Sequence, residues 1–187
     1  MLSLSSPRNS ALLAVFLLAA CSQPPQTNDS NSAALHAPAY ATPKKYEAIS
    51  RTAEAITGGL EIANGERAGE NAPPRVKLTF GLGHVYEGDW VETSLASADI
   101  AGEAWTATLP VPGEAEVSVY SIASETLKPD TPNGGLCNPA KVQFLAVAAY
   151  RNAMGEDELQ MAAFSDPQWP PVGAPQLCGT FTYIAAE

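Results

Sequence analysis

The chain has 187 residues with 20 acidic and 10 basic side chains, which gives a formal net charge of −10 at pH 7. This length corresponds to one domain with a sizeable core. The acidic balance opposes binding to nucleic acid and to anionic lipid headgroups. It favours basic partners or cations, although solubility alone accounts for such a charge.

The first segment of the chain has the features of an export signal. Arg8 is its only charged residue, and residues 11–20 form a purely apolar run that is too short to cross a bilayer, which takes about 20 residues. The run ends in Leu18-Ala19-Ala20-Cys21, which resembles the lipobox of bacterial lipoproteins. The resemblance implies cleavage before Cys21 and lipidation of its thiol, and Ser22 implies the outer membrane, facing the periplasm. An ordinary signal peptide and a buried helix are the alternatives.

The predicted organisation of the chain therefore has three parts. Residues 1–20 are the signal peptide, residues 21–45 are the lipidated cysteine and a flexible tether, and residues 46–187 are a β-rich domain. The tether is rich in proline and small polar residues, so as a flexible coil it would span on the order of 27 Å. Packing of the tether on the domain is the alternative.

The domain begins with a segment, residues 43–56, whose pattern is ambiguous between helix and strand. Tyr46, Ile49, Ala53 and Ile56 have helical spacing, and Thr42-Pro43 would supply a cap and a first helical position. The two lysines at 44 and 45 oppose this helix, because the positive end of a helix dipole favours anions. The Thr-Gly-Gly sequence at 57–59 ends the segment in either case.

The remaining segments have the patterns of β-strands. Three of them alternate apolar with polar residues, as expected for strands with one wet face. The apolar residues of the first are Val76, Leu78 and Phe80, and those of the second are Trp105, Ala107 and Leu109. In the third, Val117 and Val119 alternate with Glu116 and Ser118. Residues 142–150 are nearly all apolar and predict a central strand, and residues 159–164 and 179–184 predict two more.

Turn sequences separate these segments, at Asn64-Gly65, Pro73-Pro74, Pro112-Gly113 and residues 133–135, and a glycine-containing hairpin loop is predicted at residues 152–156. No βαβ rhythm and no internal repeat are visible. The sequence therefore predicts an all-β fold, a small antiparallel barrel or sandwich with one disulfide, after a disordered tether.

The cysteines predict one disulfide bond. Once Cys21 is lipidated, Cys137 and Cys178 remain as an even pair in an oxidising compartment. A bond that closes a loop of this length stabilises a protein by roughly 4 kcal/mol in the chain-entropy model. A zinc site lacks ligands, since the chain has only two histidines and no close Cys-x-x-Cys pair.

The main candidate site lies between residues 83 and 90. His84 and Tyr86 would share one face of a strand, and Glu87 and Asp89 the other, an arrangement open to proton transfer or metal binding. Trp90 and Tyr86 are equally suited to the edge of a core. Gly88 is expected to break the strand, and Glu-Gly-Asp is at least as typical of a turn.

The second candidate is Trp169, in a segment with four prolines at residues 165–177. Prolines stiffen a loop, so an aromatic residue in it would be presented to a partner at low entropic cost. The alternative, which we favour, is a tryptophan that covers the end of a barrel. A third feature, the acidic run at residues 156–158, is interpreted as a solvated hairpin tip because its spacing does not fit a calcium loop.

Three islands of the domain are similar to a loose group of small proteobacterial lipoproteins. They are Ala55-Ile56-Thr57-Gly58, Gly135-Leu136-Cys137 and Leu177-Cys178-Gly179-Thr180-Phe181-Thr182-Tyr183. The resemblance supports the disulfide and the β character, and it transfers no catalytic residue to this chain.

The sequence therefore favours a non-enzymatic envelope module that binds a protein or cell-wall partner, without cofactor or metal. It shows none of the standard hydrolase, metalloprotease, phosphate-loop or dinucleotide motifs. The alternatives are an inhibitor of a basic envelope or host enzyme such as lysozyme, a carrier of a small apolar ligand, and an enzyme centred on His84.

Overall fold

A computed structural model describes residues 36–100 and 102–187. The predicted signal peptide, Cys21 and most of the predicted tether lie outside the described residues. The chain forms ten strands and one short α-helix in the described part. In chain order they are β1 (Lys44–Ala48), α1 (Arg51–Ile56), β2 (Leu60–Asn64), β3 (Arg75–Phe80), β4 (Val85–Leu95), β5 (Asp99–Ile100), β6 (Glu103–Ala104), β7 (Glu116–Thr126), β8 (Phe144–Arg151), β9 (Asp157–Phe164) and β10 (Leu177–Ala185).

Eight of these strands form a closed antiparallel barrel, in the order β1-β10-β9-β8-β7-β4-β3-β2. Closure comes from β1, which pairs with β2 through Tyr46 opposite Leu60 and with β10 through Tyr46 opposite Ala185. The predicted all-β antiparallel fold is confirmed. Of the two predicted architectures, barrel and sandwich, the structure has the barrel. The predicted alternation of Val76, Leu78 and Phe80 is also confirmed, since all three are buried in β3.

The barrel interior is the larger of two cores, and it is rich in aromatic rings. Buried side chains from every barrel strand point into it, among them those of Tyr46, Phe80, Tyr86, Tyr120, Phe181 and Tyr183. An eight-stranded barrel is just wide enough to be filled by side chains. The interior is therefore a packed core.

A second core lies on the outer face of β7, β8 and β9, under residues 96–115. It contains Val117 and Val119 from β7 and the alternate residues Phe144, Ala146 and Ala148 of β8. Because β8 is covered on both faces, its sequence is almost continuously apolar. The prediction that Ser118 faces solvent is wrong, because Ser118 is buried. Its neighbours Val117 and Val119 point to the other face of β7, where the covering segment buries them.

The covering segment includes the residues predicted as a strand around Trp105. Residues Trp105–Ala107 instead form a 3-10 turn, and Thr108 is also helical in backbone conformation. Of the three residues predicted to face the core, Trp105 and Leu109 are fully buried in the outer core, whereas Ala107 is exposed. The strand prediction failed because a 3-10 turn also places two apolar residues against one surface.

The ambiguous segment at the start of the domain contains both a strand and a helix. β1 ends at Ala48, and Ser50 caps α1, its side-chain oxygen accepting a hydrogen bond from the Ala53 backbone N–H at 3.2 Å. The cap predicted at Thr42-Pro43 is wrong, because the lysines that follow lie in β1. Upstream, Tyr40 is buried and its backbone N–H donates to Asn64 Oδ1 at 3.0 Å, so the end of the predicted tether packs on the barrel.

The barrel has two poles that the topology distinguishes. We call the pole at which β1 begins the proximal pole and the opposite one the distal pole. The distal pole carries the connections 49–59, 81–84, 127–143 and 165–176. There Cys137 and Cys178 form the predicted disulfide, which ties the segment before β8 to the start of β10.

Candidate binding surface

His84 and Tyr86 lie together in the barrel interior, near the distal pole. The imidazole centroid of His84 is 4.7 Å from the ring centroid of Phe80 and 5.9 Å from that of Tyr86. The Tyr86 hydroxyl accepts a hydrogen bond from the Leu136 backbone N–H at 3.2 Å, and burial raises the pKa of Tyr86. Both side chains are fully buried, so they serve the packing of the core.

The imidazole of His84 has no polar partner in the described part of the chain. Neither Nδ1 nor Nε2 makes a hydrogen bond there, and burial lowers the pKa of His84. The ring is therefore held neutral among aromatic neighbours. General acid–base chemistry needs a carboxylate or a substrate within hydrogen-bond reach of the ring, and this environment offers no such carboxylate.

The acidic residues next to His84 lie on the outside of the barrel. The expected break at Gly88 is wrong, because β4 continues to Leu95, with a bulge between Glu87 and Gly88. A Cβ atom at Gly88 would lie 3.0 Å from the Tyr120 Cβ, so a close approach inside the barrel favours glycine at this position. Asp89 accepts two hydrogen bonds from the Arg75 guanidinium, at 2.7 and 2.9 Å.

Trp90 packs against the edge of the interior core, toward the proximal pole. Its Nε1 donates to Thr93 Oγ1 at 3.1 Å, and the Thr93 hydroxyl lies 2.8 Å from the Ser118 hydroxyl. The same threonine is 3.4 Å from the His36 carbonyl oxygen. Trp90 therefore helps to hold the first described residues against the barrel.

Trp169 packs against the outer core. Its indole is stacked on that of Trp105 with ring centroids 5.5 Å apart, and its centroid lies 5.4 Å from Phe144 and 5.9 Å from Phe164. Its Nε1 donates to Glu92 Oε1 at 2.9 Å. The expectation that this tryptophan covers an end of the barrel is wrong, because Trp169 packs on the outer face of the barrel.

The segment around Trp169, which we call the Trp169 loop (residues 166–176), is fixed at its base as well. The Ser165 backbone N–H donates to the Gln176 carbonyl at 3.1 Å. The Gln176 backbone N–H donates to Asp166 Oδ2 at 2.6 Å. With the base closed and Trp169 packed at its centre, the loop has few ways to rearrange.

The tip of the Trp169 loop exposes an aliphatic side chain. Val172 is 95% exposed, although Pro171 beside it is buried. The sequence singled out Trp169 in this loop, whereas the structure exposes Val172, which is followed by Gly173 at a φ of 91°.

The acidic hairpin tip between β8 and β9 forms its own hydrogen bonds. Asn152 Nδ2 donates to Glu156 Oε2 at 3.0 Å, and the Tyr150 hydroxyl donates to Glu158 at 2.5 Å. Arg151 pairs with Asp157 at 3.3 Å on the exposed surface. The predicted hairpin with glycine at a positive φ is confirmed at Gly155, where φ is 82°.

The charge of the chain is unevenly distributed. Residues 78–127 and 152–187 contain thirteen acidic residues and no lysine or arginine. These residues include β4, β7, β9, β10 and the Trp169 loop, whereas the lysines and arginines of the described part lie within residues 44–77 and 128–151. Asp89 and Asp157 are paired with Arg75 and Arg151, but carboxylates outnumber cations on this side of the barrel, so its potential is negative.

Within residues 36–100 and 102–187, no three side chains of the His, Cys, Asp or Glu type are arranged to hold a metal ion. Among the helices described, none has the length and apolar character needed to span a membrane. No protein-family model matches the chain, and neither a curated protein nor a solved structure matches it.

Proposed function

We propose that the chain is a lipid-anchored binding module of the bacterial envelope, without a catalytic role, held at the outer membrane through Cys21 and facing the periplasm. The anchor is proposed on the lipobox-like sequence alone, since Cys21 lies outside the described residues. The binding role is supported by one structural observation, which is the way the barrel interior is filled.

The interior is occupied by the protein's own aromatic side chains. Tyr86, Tyr120 and Tyr183 are buried in it. The Tyr86 hydroxyl accepts from the Leu136 backbone N–H and the Tyr183 hydroxyl donates to Thr57 Oγ1 at 3.0 Å, whereas the buried Tyr120 hydroxyl has no hydrogen-bond partner among the described residues. His84, the residue best suited to chemistry, is part of the same core. This packing argues against a carrier that holds an apolar ligand in the barrel and against an enzyme centred on His84. Because the interior is filled, a partner would be bound by the outer surface of the barrel and its loops.

An in-cell crosslinking experiment tests the proposal. The lipidated chain is crosslinked in intact cells with formaldehyde and recovered from envelope fractions, with the Cys21→Ser chain as the control that lacks the anchor. We expect a saturable, stoichiometric partner of the lipidated chain. Recovery of the chain alone at every expression level would contradict a binding role.

The charge distribution supports a second, narrower candidate, an inhibitor of a basic enzyme such as lysozyme. The excess of carboxylates over cations on this side of the barrel would accelerate encounter with such an enzyme. A lysozyme turbidity assay with the purified chain tests this candidate. Unchanged lysis over a range of chain concentrations would eliminate lysozyme as the target.

A further inference from the structure

We infer that the Trp169 loop is the recognition element of this module, and that it places Val172 in an apolar pocket of a cationic protein. This inference rests on the proposed binding function and adds to it the contact residue and the chemistry of the partner. Three observations carry it: the loop is fixed, its tip is apolar and exposed, and its surroundings are negatively charged.

The loop is fixed at two separate places. At its base, the bonds from Ser165 and Gln176 close the two strands that enter and leave it. At its centre, Trp169 is stacked on Trp105 and bonded to Glu92. Four prolines limit the backbone between these points. A segment that is ordered before it binds loses little conformational entropy on association, so this construction favours recognition.

The fixed part of the loop directs its apolar side chain away from the protein. Trp169 and Pro171 point toward the barrel, whereas Val172 is 95% exposed and is followed by the small residues Gly173 and Ala174. Burying a valine side chain in a pocket is worth roughly the same as burying it in a core. The small neighbours leave the side chain free to enter a pocket without steric conflict.

The surroundings of the loop select a positively charged partner. Glu92 contacts Trp169 directly, and Glu103 lies two residues before Trp105, on which Trp169 is stacked. Asp166 is buried at the base of the loop. The segments that contribute these residues contain no lysine or arginine. A partner with lysines or arginines around an apolar pocket is therefore complementary in both shape and charge, and a negatively charged partner is repelled.

Site-specific photo-crosslinking tests the inference in cells. A diazirine amino acid is placed at position 172 of the lipidated chain or, as a matched control, at position 154. Met154 is 81% exposed and lies on a loop of the proximal pole, so both positions are accessible and only one belongs to the Trp169 loop. We expect a discrete adduct from position 172 only, and mass spectrometry should identify a protein that is basic overall.

Binding of the identified protein to the purified chain completes the test. We expect Val172→Asp to raise the Kd by a factor of ten or more, since it would bury a charge in an apolar pocket, and Met154→Asp to leave it within a factor of two. Affinity should also fall as salt is raised toward about 1 M, where the screening length is about 3 Å.

The outcomes separate the two proposals. If formaldehyde captures a partner but position 172 gives no adduct, the binding function stands and the assignment of the loop is wrong. An adduct with a neutral or acidic protein would overturn the charge argument, as would an affinity that is independent of salt. If neither crosslinking method yields a partner, the binding function itself is contradicted.

Discussion

The indole rings of Trp169 and Trp105 are stacked at an interplanar angle of 11°, with centroids 5.5 Å apart, although they belong to two different connections of the barrel. This contact joins the Trp169 loop to the segment that covers β7, β8 and β9. The two loops therefore support each other, and the stability of the outer core should depend on a residue outside the strands.

We predict that Trp169→Ala lowers the free energy of unfolding by about 2 to 3 kcal/mol, because it removes a partly buried aromatic ring from the outer core. Urea denaturation measures this change, and near-ultraviolet circular dichroism should show the loss of the stacked indoles. Glu92→Gln is the control, since the amide oxygen still accepts from Nε1 and the cost should stay below about 1 kcal/mol. An unchanged denaturation midpoint for Trp169→Ala would contradict the supporting role of the ring.

We predict that reduction of the Cys137–Cys178 bond destabilises the domain by roughly 4 kcal/mol, because the bond closes a 41-residue separation in the unfolded chain. Alkylation followed by mass spectrometry should modify neither thiol before reduction and both after it. Urea denaturation with and without reductant measures the stability difference. Equal midpoints in the two conditions would show that the bond does not constrain the unfolded state.

We predict that His84 makes the protein less stable in acid. Burial lowers the pKa of His84 in the folded state, so as the pH falls below about 6.5 the unfolded chain binds this proton first and the free energy of unfolding decreases. Above that pH both states hold a neutral ring, and the effect vanishes. Stability is measured by urea denaturation at neutral and at mildly acidic pH.

The His84→Phe variant should keep the ring packing and lose this part of the acid sensitivity. Carboxylates also titrate in acid, so the informative quantity is the difference between the variant and the unaltered chain. His36→Gln, at an exposed position, is the matched control and should behave as the unaltered chain does. Identical pH profiles for His84→Phe and the unaltered chain would refute the prediction.

We predict that Cys21→Ser abolishes lipidation and releases the domain from the membrane fraction. Metabolic labelling with a fatty-acid analogue, followed by fractionation, measures both effects. Cys137→Ser is a suitable control, because it removes a cysteine without touching the lipobox-like sequence. Labelling that persists in the Cys21→Ser chain would exclude this residue as the site of attachment.

Local patterns identified those parts of the fold in which each strand has one buried face. The alternation at Val76, Leu78 and Phe80 is of this kind, and the hairpin at Gly155 follows from turn chemistry. The same rule failed at Ser118, because an additional layer covers the outer face of β7, so that both faces of the strand are buried there. Tertiary covering of this kind leaves no periodic signal in the strand itself.

The sequence singled out the segment around Trp169 but not the directions of its side chains. The prolines indicated a loop there, and the structure has one. The direction of each side chain depended on contacts with Trp105 and Glu92, which are distant in sequence and come from other connections. For His84, sequence reasoning placed Tyr86 beside it, but it could not show that aromatic rings occupy the rest of its surroundings.

The pairing of Tyr46 with Ala185 has a consequence for the order of events in folding. One edge of β1 finds its partner only in β10, the final strand of the barrel, so the ring of hydrogen bonds closes only when that strand is present. A chain that crosses the inner membrane from its N-terminus onward would stay open, and competent for passage through a narrow channel, until its last strand arrives. Closure then leaves none of the eight barrel strands with an unpaired edge at which another copy of the chain could associate.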